Sequence, residues 1–339
     1  MNTVSGERTA AAPLLSVRDL HRSFPVARGV LGAPARVGAV NGVAFNLFPG
    51  RTLALVGESG SGKSTTARLV LRLLTPDRGS ILFDGVDWLA LGRKELNRRR
   101  REVGVVFQDP ATSLDGRMTV EEIVSEPLAI HGLCPGAERK ERVRRLLEAV
   151  GLPVSALRKA PSEFSGGQRQ RIGIARALAT EPRFVVLDEP VSSLDVSVRA
   201  QVLNLLLDLQ EKTPSKPAYL FIGHDLSVVR LIADRTAVMY LGRIVEEGPT
   251  EELFRNPRHP YTALLLASQP RSVPREAGEP VHLRAPGEPP SPVRPPGGCP
   301  FHPRCPSARP VCAEVYPEET STGAVREHRF SCHAPLGVA

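Results

Sequence analysis

Aromatic side chains are scarce in this 339-residue sequence, 5% of positions with a single tryptophan, and ahead of residue 299 the one cysteine is Cys134. The five cysteines of the chain read as thiols or metal ligands rather than as disulfides. Long apolar runs are missing too. Charge-free stretches such as Val37 to Gly50 fall short of the ~18 apolar residues a membrane-spanning helix needs, and they carry Gly, Asn and Pro. Glu7 and Arg8 interrupt any apolar run near the first residue, so no secretory signal is expected. These absences predict a chain that stays in the cytoplasm unless something else holds it to a membrane.

What is present is a globular balance, 41% hydrophobic and 24% charged, which argues against a disordered or fibrous chain. The length allows a sizeable core and about two domains. A net charge of +8 points weakly to an acidic partner; nucleic acid, anionic lipid and nucleotide phosphate all fit. The densest basic run, Arg98-Arg99-Arg100-Arg101, reads as a solvated helix face. No aromatic residues interleave with it, so no stacking surface for single-stranded nucleic acid is indicated.

Composition shifts near residue 256. Before it, short apolar runs alternate with amphipathic stretches, the pattern of strands alternating with helices. After it proline dominates: 14 of the 32 prolines lie between Pro270 and Pro317, a density that excludes long helices and central strands. The expected class is α/β, with a large domain over 13–255, a helical connector around Tyr261 to Ser268, and a small irregular module within 256–339. Three runs have the length of buried strands: Leu53-Ala54-Leu55-Val56, Phe184-Val185-Val186-Leu187 and Tyr219-Leu220-Phe221-Ile222. Parallel strands buried on both faces read this way, and ligands bind beyond their carboxyl ends. Residues of about 109–165, with helical patterns such as Glu138 to Val150, read as a helical subdomain inserted between strands.

Gly57-Glu58-Ser59-Gly60-Ser61-Gly62-Lys63-Ser64 comes directly after the first run and matches G-x-x-x-x-G-K-[ST]. The glycines let backbone N–H groups curl around phosphate oxygens, Lys63 brings charge to the β- and γ-phosphates, and the Ser64 hydroxyl suits Mg²⁺. The helix starting near Lys63 adds its positive end. A chance Gly-rich turn would lack the strand before and the helical pattern, Thr65 to Leu74, after. The second run ends in Asp188-Glu189, two carboxylates that need a cation or a proton to handle. Asp188 can hold the Mg²⁺ shell and Glu189 can reach an attacking water. The third ends in Gly223-His224-Asp225, where His224 can donate to a γ-phosphate, although a histidine at a helix cap is the plainer reading in isolation. Gln108, closing Val106-Phe107-Gln108, is a neutral ligand able to touch Mg²⁺ or water. Ser165-Gly166-Gly167-Gln168 opens the amphipathic helix Arg169 to Leu178 and makes a second anion site at a helix start. Two such starts exceed what one nucleotide requires. A symmetric dimer resolves the excess, each phosphate loop facing the other chain's Ser-Gly-Gly turn.

In this order the motifs resemble the nucleotide-binding subunit of an ATP-binding cassette (ABC) transporter. Gly57 to Thr65 resembles the Walker A loop, Gln108 the Q-loop, Ser165 to Gln168 the signature motif, Val185 to Glu189 the Walker B strand, Ser193-Leu194-Asp195 the D-loop and His224 the switch histidine. The resemblance spans about residues 13–255 and departs at Phe164, where the signature commonly has Leu. It implies a P-loop NTPase core with an antiparallel β subdomain. It also implies ATP held by Gly57, Ser59 to Thr65, Gln108, Ser165 to Gln168 and Asp195, with adenine stacked on Phe24. Ser64, Gln108 and Asp188 would surround Mg²⁺, and Glu189 and His224 would be catalytic. The implied partners are two integral membrane permease subunits, a second ATPase subunit (a copy or a paralogue) and, indirectly, an extracytoplasmic solute-binding protein. That places the chain at the cytoplasmic face of the cell membrane, with no nucleic acid. The rival is a soluble ABC ATPase acting on nucleic acid or ribosomes, which usually carries two cassettes or a long coiled-coil insertion; this sequence has neither.

Asn256-Pro257-Arg258-His259-Pro260-Tyr261-Thr262 and the stretch Gly298 to Pro306 resemble the ATPase subunits of bacterial oligopeptide/dipeptide importers, a pattern shared by importers of nickel and other small solutes. Cys299, Cys305, Cys312 and Cys332 are spaced C-x5-C-x6-C-x19-C, which fits neither a zinc ribbon nor a ferredoxin run. Two readings stand: a [4Fe-4S] cluster or zinc on the four thiolates, with His302 as an extra ligand or a loop residue, or else reduced thiols or a disulfide. Cys134 reads as inert.

Overall fold

A computed structural model of the chain describes residues 12–26, 35–268, 287–322 and 327–337; the prolines between 270 and 286 lie outside the described residues. In chain order the strands are β1 (Leu15–Val26), β2 (Ala35–Leu47), β3 (Thr52–Val56), β4 (Arg78–Phe83), β5 (Val86–Asp87), β6 (Val103–Val106), β7 (Phe184–Asp188), β8 (Ala218–Gly223), β9 (Arg235–Tyr240), β10 (Arg243–Pro249), β11 (Glu319–Thr322) and β12 (His328–Ser331). The three apolar runs form β3, β7 and β8. They lie side by side in a sheet of order β11-β12-β10-β9-β3-β8-β7-β6, parallel from β9 to β6. Every residue of β3 and β8 is buried, which their lack of charge permits. Polar residues return where these strands end, so Gly57, Glu189 and His224 emerge along one edge.

A second, antiparallel sheet of order β2-β1-β4-β5 is the expected β subdomain. One apolar cluster joins it to the main sheet, combining Leu15, Val40 and Phe83 with Leu55, Ile222 and the helix Lys63–Val70. The lone tryptophan, Trp88, packs edge-on against Phe83 at 5.1 Å. On the opposite side the helices Val120–Ile130, Gly136–Ala149 and Gly166–Leu178 bury their apolar stripes with Val196–Lys212. Thr119 and Glu122 close a capping box at the first of these, fixing where it begins. The basic run falls on the helix Arg93–Arg99 and the turn after it, and Arg98 and Arg99 pair with Glu95 at 2.7 and 3.6 Å. No described helix is long and apolar enough to cross a membrane.

The tail is less irregular than its proline content suggests. β12 pairs with β10 and β11 with β12, so residues beyond 256 extend the main sheet and cover an edge that would otherwise be open. The Glu246 side chain, 0% exposed, accepts hydrogen bonds from the N–H groups of Arg258 (2.7 Å) and His259 (2.9 Å) and meets His328 Nε2 at 2.7 Å. Glu247 pairs with Arg235 and Arg329. Buried carboxylates are tolerable only when paired as fully as these.

His259 is buried at this junction, and its Nδ1 accepts the Tyr261 N–H at 3.1 Å, capping the connector helix Pro260–Ala267. Burial holds its pKa down at about 4, against 6.5 ordinarily, with Glu246 pulling the other way. The unfolded chain therefore takes up the proton first as pH falls, and the fold loses stability from about pH 6.5 down to 4. The whole shift is worth about 3 kcal/mol, and on the order of 2 kcal/mol of it is lost by pH 5. Urea unfolding at pH 7 and pH 5 measures this. His259→Asn, which keeps a capping acceptor, should flatten the difference; the same pH dependence in parent and variant would exclude His259 as its source.

Candidate functional site

The phosphate loop leaves β3 and enters the helix Lys63–Val70 through Gly62, whose φ of +107° is left-handed. A Cβ there would lie 2.1 Å from the Ala39 carbonyl oxygen of β2, so both conformation and space demand glycine. Ser59 and Gly60 form the exposed crown, while Ser61 and Lys63 are buried. The Lys63 ammonium donates to the carbonyls of Gly57 (2.8 Å) and Glu58 (2.9 Å) and to Ser61 Oγ (3.3 Å). Burial lowers its pKa, and Glu189, Asp188 and Glu58 push it back up. The cation is thus held over the loop by groups that a phosphate oxygen can replace.

Asp188 closes β7 and accepts the Ser64 hydroxyl at 3.2 Å. Burial raises its pKa, against the Ser64 hydrogen bond, and Glu189 raises it further. A desolvated carboxylate beside a hydroxyl is a hard oxygen pair, and it fits Mg²⁺. Glu189 comes next with φ +45°, a left-handed backbone that costs a non-glycine residue of order 1 kcal/mol or more. Its N–H donates to the Ile222 carbonyl at 2.9 Å, which helps hold that geometry. Gln108 Nε2 donates to Glu189 Oε2 at 2.8 Å, and His224 Nδ1 lies 3.4 Å from Oε1. Residues beyond the ends of β6, β7 and β8 therefore converge on one carboxylate. Gln108 meets Glu189 and makes no hydrogen bond to the Ser64–Asp188 pair among the described residues.

Ser165 is the N-cap of Gly166–Leu178: its Oγ accepts the Gln168 N–H at 3.3 Å and its own N–H donates to Gln168 Oε1 at 3.0 Å. The helix starts three residues earlier than Arg169 because this box supports two glycines that are weak helix formers alone. A Cβ on Gly167 would come within 2.3 Å of Val198, so this turn lies against the start of Val196–Lys212. Asp195 caps that helix, accepting from Val198 N–H (2.9 Å) and Ser197 Oγ (3.0 Å), contacts that hold its carboxyl below the usual range. Neither Ser165 nor Asp195 makes a hydrogen bond to the phosphate loop among the described residues. Phe24 pairs across the ladder with Val37, two residues from the Ala39 that crowds Gly62, and the Arg22 guanidinium lies 5.0 Å from its ring.

Two residues hold the loop from outside and have no signal in the local sequence motifs, Tyr261 and Arg304, both bonded to Glu58. They lie 203 and 246 positions away, and only the H-P-Y and C-P-F-H-P-R-C strings hint at a role. The four tail cysteines and Cys134 are free thiols. Burial, with the neighbouring thiols, pushes Cys332 up to about 12, and burial raises Cys299 and Cys305 as well. Among the described residues no group of three or more His, Cys, Asp or Glu is placed to hold a metal ion, so this geometry gives the cluster or zinc reading no ligand set. His302 Nδ1 contacts the Cys299 carbonyl at 2.9 Å, as a loop residue would.

Comparison with known proteins agrees with this geometry. Residues 40–192 match the family model described as "ABC transporter", and residues 245–312 match "Oligopeptide/dipeptide transporter, C-terminal region". The chain is 48% identical over 322 residues to the oligopeptide transport ATP-binding protein AppF of Bacillus subtilis (strain 168), covering 94% of this chain and 97% of that one. It is 46% identical over 312 residues to the dipeptide transport ATP-binding protein DppF of Escherichia coli (strain K12), covering 92% of each. Among solved structures it is similar to a dimeric, post-hydrolysis state of the ATP-binding cassette MJ0796 bound to ADP and Pi. That match has a TM-score of 0.61 and 28% identity over 70% of this chain and 98% of that one.

Proposed function

The chain belongs to the ABC transporter ATPases, in their oligopeptide/dipeptide branch, and we propose how its residues turn ATP hydrolysis into peptide import. The observation that carries the proposal is the convergence of Gln108 and His224 on Glu189, next to the Ser64–Asp188 pair and the Lys63 loop. ATP lies along the loop from Gly57 to Thr65, where Lys63 exchanges carbonyl partners for phosphate oxygens and Phe24 stacks on the adenine. Ser64 and Asp188 would hold Mg²⁺, which when bound would supply positive charge against the triphosphate. Glu189 takes the proton of the water that attacks the γ-phosphorus, the bond to ADP breaks in line, and His224 holds water and phosphate in place.

Ser165 and Gly167 reach the γ-phosphate from a second subunit. The surface beside His224 supports that reading: Val196, 80% exposed, and Leu231, 53% exposed, line a groove of about 550 Å³ with His224 and Asp225. Two exposed apolar side chains lining one groove suit a face that another protein covers. Gln108, leading from Glu189 into the helical subdomain of about 109–165, passes the motion to two permease subunits at the cytoplasmic face of the membrane. We divide the chain into a nucleotide-binding domain, 13–255, and a C-terminal extension, 256–339. The finer reading of Cys299, Cys305, Cys312 and Cys332 as a cluster or zinc site is supported by their number alone.

The test is a purification of the full chain from membranes without detergent-stripping its partners. Mg²⁺-dependent phosphate release and co-purified integral membrane proteins are expected; nucleic acid in their place, stimulating hydrolysis, would favour the soluble rival. Iron and zinc content of the same anaerobic preparation decides the thiol reading, and a metal-free, fully active protein ends it.

A further inference from the structure

The tail beyond residue 256 carries none of the nucleotide motifs, yet it grips the phosphate loop. Glu58, the second residue of that loop, donates its N–H to the Tyr261 hydroxyl at 2.9 Å. Its carboxylate receives both terminal nitrogens of Arg304, at 3.0 and 3.1 Å. The Arg304 side chain is 10% exposed, lies 3.4 Å from the Tyr240 hydroxyl, and sits 5.9 Å from the Phe301 ring. Tyr240, Tyr261 and Phe301, all buried, pack with ring centroids 4.6 to 5.3 Å apart. Phe301 and Arg304 belong to one loop, pinned by the Cys299 N–H on the Cys312 carbonyl at 2.8 Å.

Glu58 places a negative charge within a loop that must receive a triphosphate. A guanidinium fork on a carboxylate cancels that charge and fixes its orientation, which a lysine point charge cannot do equally. Arg304 touches neither Glu189 nor His224, so its influence falls on nucleotide binding and not on the hydrolytic step. We propose that Arg304 is a positioning residue for ATP: by neutralising and pinning Glu58, with Tyr261 bracing the same residue, it makes the affinity of the phosphate loop depend on the C-terminal extension. The proposal rests on the reading that this loop binds ATP.

A cycle on the full chain tests it, using a fluorescent ATP analogue with Mg²⁺ for Kd and phosphate release for KM and kcat. Arg304→Met leaves Glu58 unpaired beside the phosphates, and Kd and KM should both rise about tenfold with kcat within about twofold of the parent. Glu58→Gln alone sets the reference level for a loop without that charge. Adding Glu58→Gln to Arg304→Met should restore binding to about that level, because the offending charge is gone. A merely structural role gives the opposite pattern: the double variant binds no better than Arg304→Met, and kcat falls with thermal stability. Either that pattern, or Arg304→Met binding as tightly as the parent, overturns the proposal. Should Arg304→Met fail to fold by circular dichroism, Arg304→Lys replaces it. That variant keeps the charge without the fork, KM should rise about threefold, and no rise overturns the proposal. A parent protein that binds no ATP is a different result, since it refutes the nucleotide site itself.

Discussion

Glu189→Gln binds Mg-ATP within about threefold of the parent and loses about 10³ in kcat, the range by which a positioned general base accelerates proton transfer. The substituted amide is nearly isosteric, and its oxygen can still accept from Gln108 Nε2, which donates to the carboxylate at 2.8 Å. What it cannot do is take the proton of the attacking water. Binding survives because the Lys63 contacts and the Ser64–Asp188 pair are untouched. With hydrolysis blocked, two subunits closed on ATP have no route to ADP, so a nucleotide-bound dimer accumulates. Stopped-assay phosphate release and gel filtration with ATP read the two effects, and a kcat equal to the parent's removes Glu189 from its role. His224→Ala discriminates further. His224 is 61% exposed and 3.4 Å from the carboxylate, and on the proposed role of holding water and phosphate its loss should cost less.

The parts of this site legible in the sequence are those written locally. A charge-free run of four or five residues must be buried, so β3, β7 and β8 announce themselves, and the polar residues after each run emerge along one edge of the sheet. Gly62 and Lys63 are legible because few other residues suit a left-handed turn or a phosphate there. The capping box at Ser165 is written within four residues.

Long-range pairing is what the sequence hides. Val245-Glu246-Glu247-Gly248 looks like a solvated edge until His328 and Arg329, about 80 residues on, bring the countercharges that let both carboxylates be buried. For the same reason β11 and β12, four polar residues each apart from Phe330, carry no strand signal of their own; pairing with β10 creates them. The family resemblance puts Asp195 among the ATP ligands, and in the single chain it caps a helix, a role any Asp before an apolar period can play. Arg304 is invisible in the same way, since its relation to Glu58 exists only after the tail folds onto the loop.

Lys63→Ala should weaken Mg-ATP binding about 100-fold, from the loss of two or so charge-assisted hydrogen bonds partly offset by water entering the vacated space. The substitution also strips the cation from among three carboxylates: Glu58, Asp188 and Glu189 all act on Lys63 electrostatically, and without it they face the incoming phosphates. The loss therefore falls on affinity first, unlike that of Glu189→Gln. Thermal denaturation with ATP separates the two. At ATP equal to 100 times the parent's Kd, ligand binding stabilises the parent by about 2.7 kcal/mol, whereas a 100-fold weaker site gains about 0.4 kcal/mol. An ATP-induced rise in Tm as large as the parent's would show that the loop binds without this lysine. Because burial lowers the Lys63 pKa, affinity in the parent should also begin to fall with rising pH before an exposed lysine would lose its proton. Lys63→Arg, which stays charged throughout that range, should abolish the alkaline fall whatever affinity it retains.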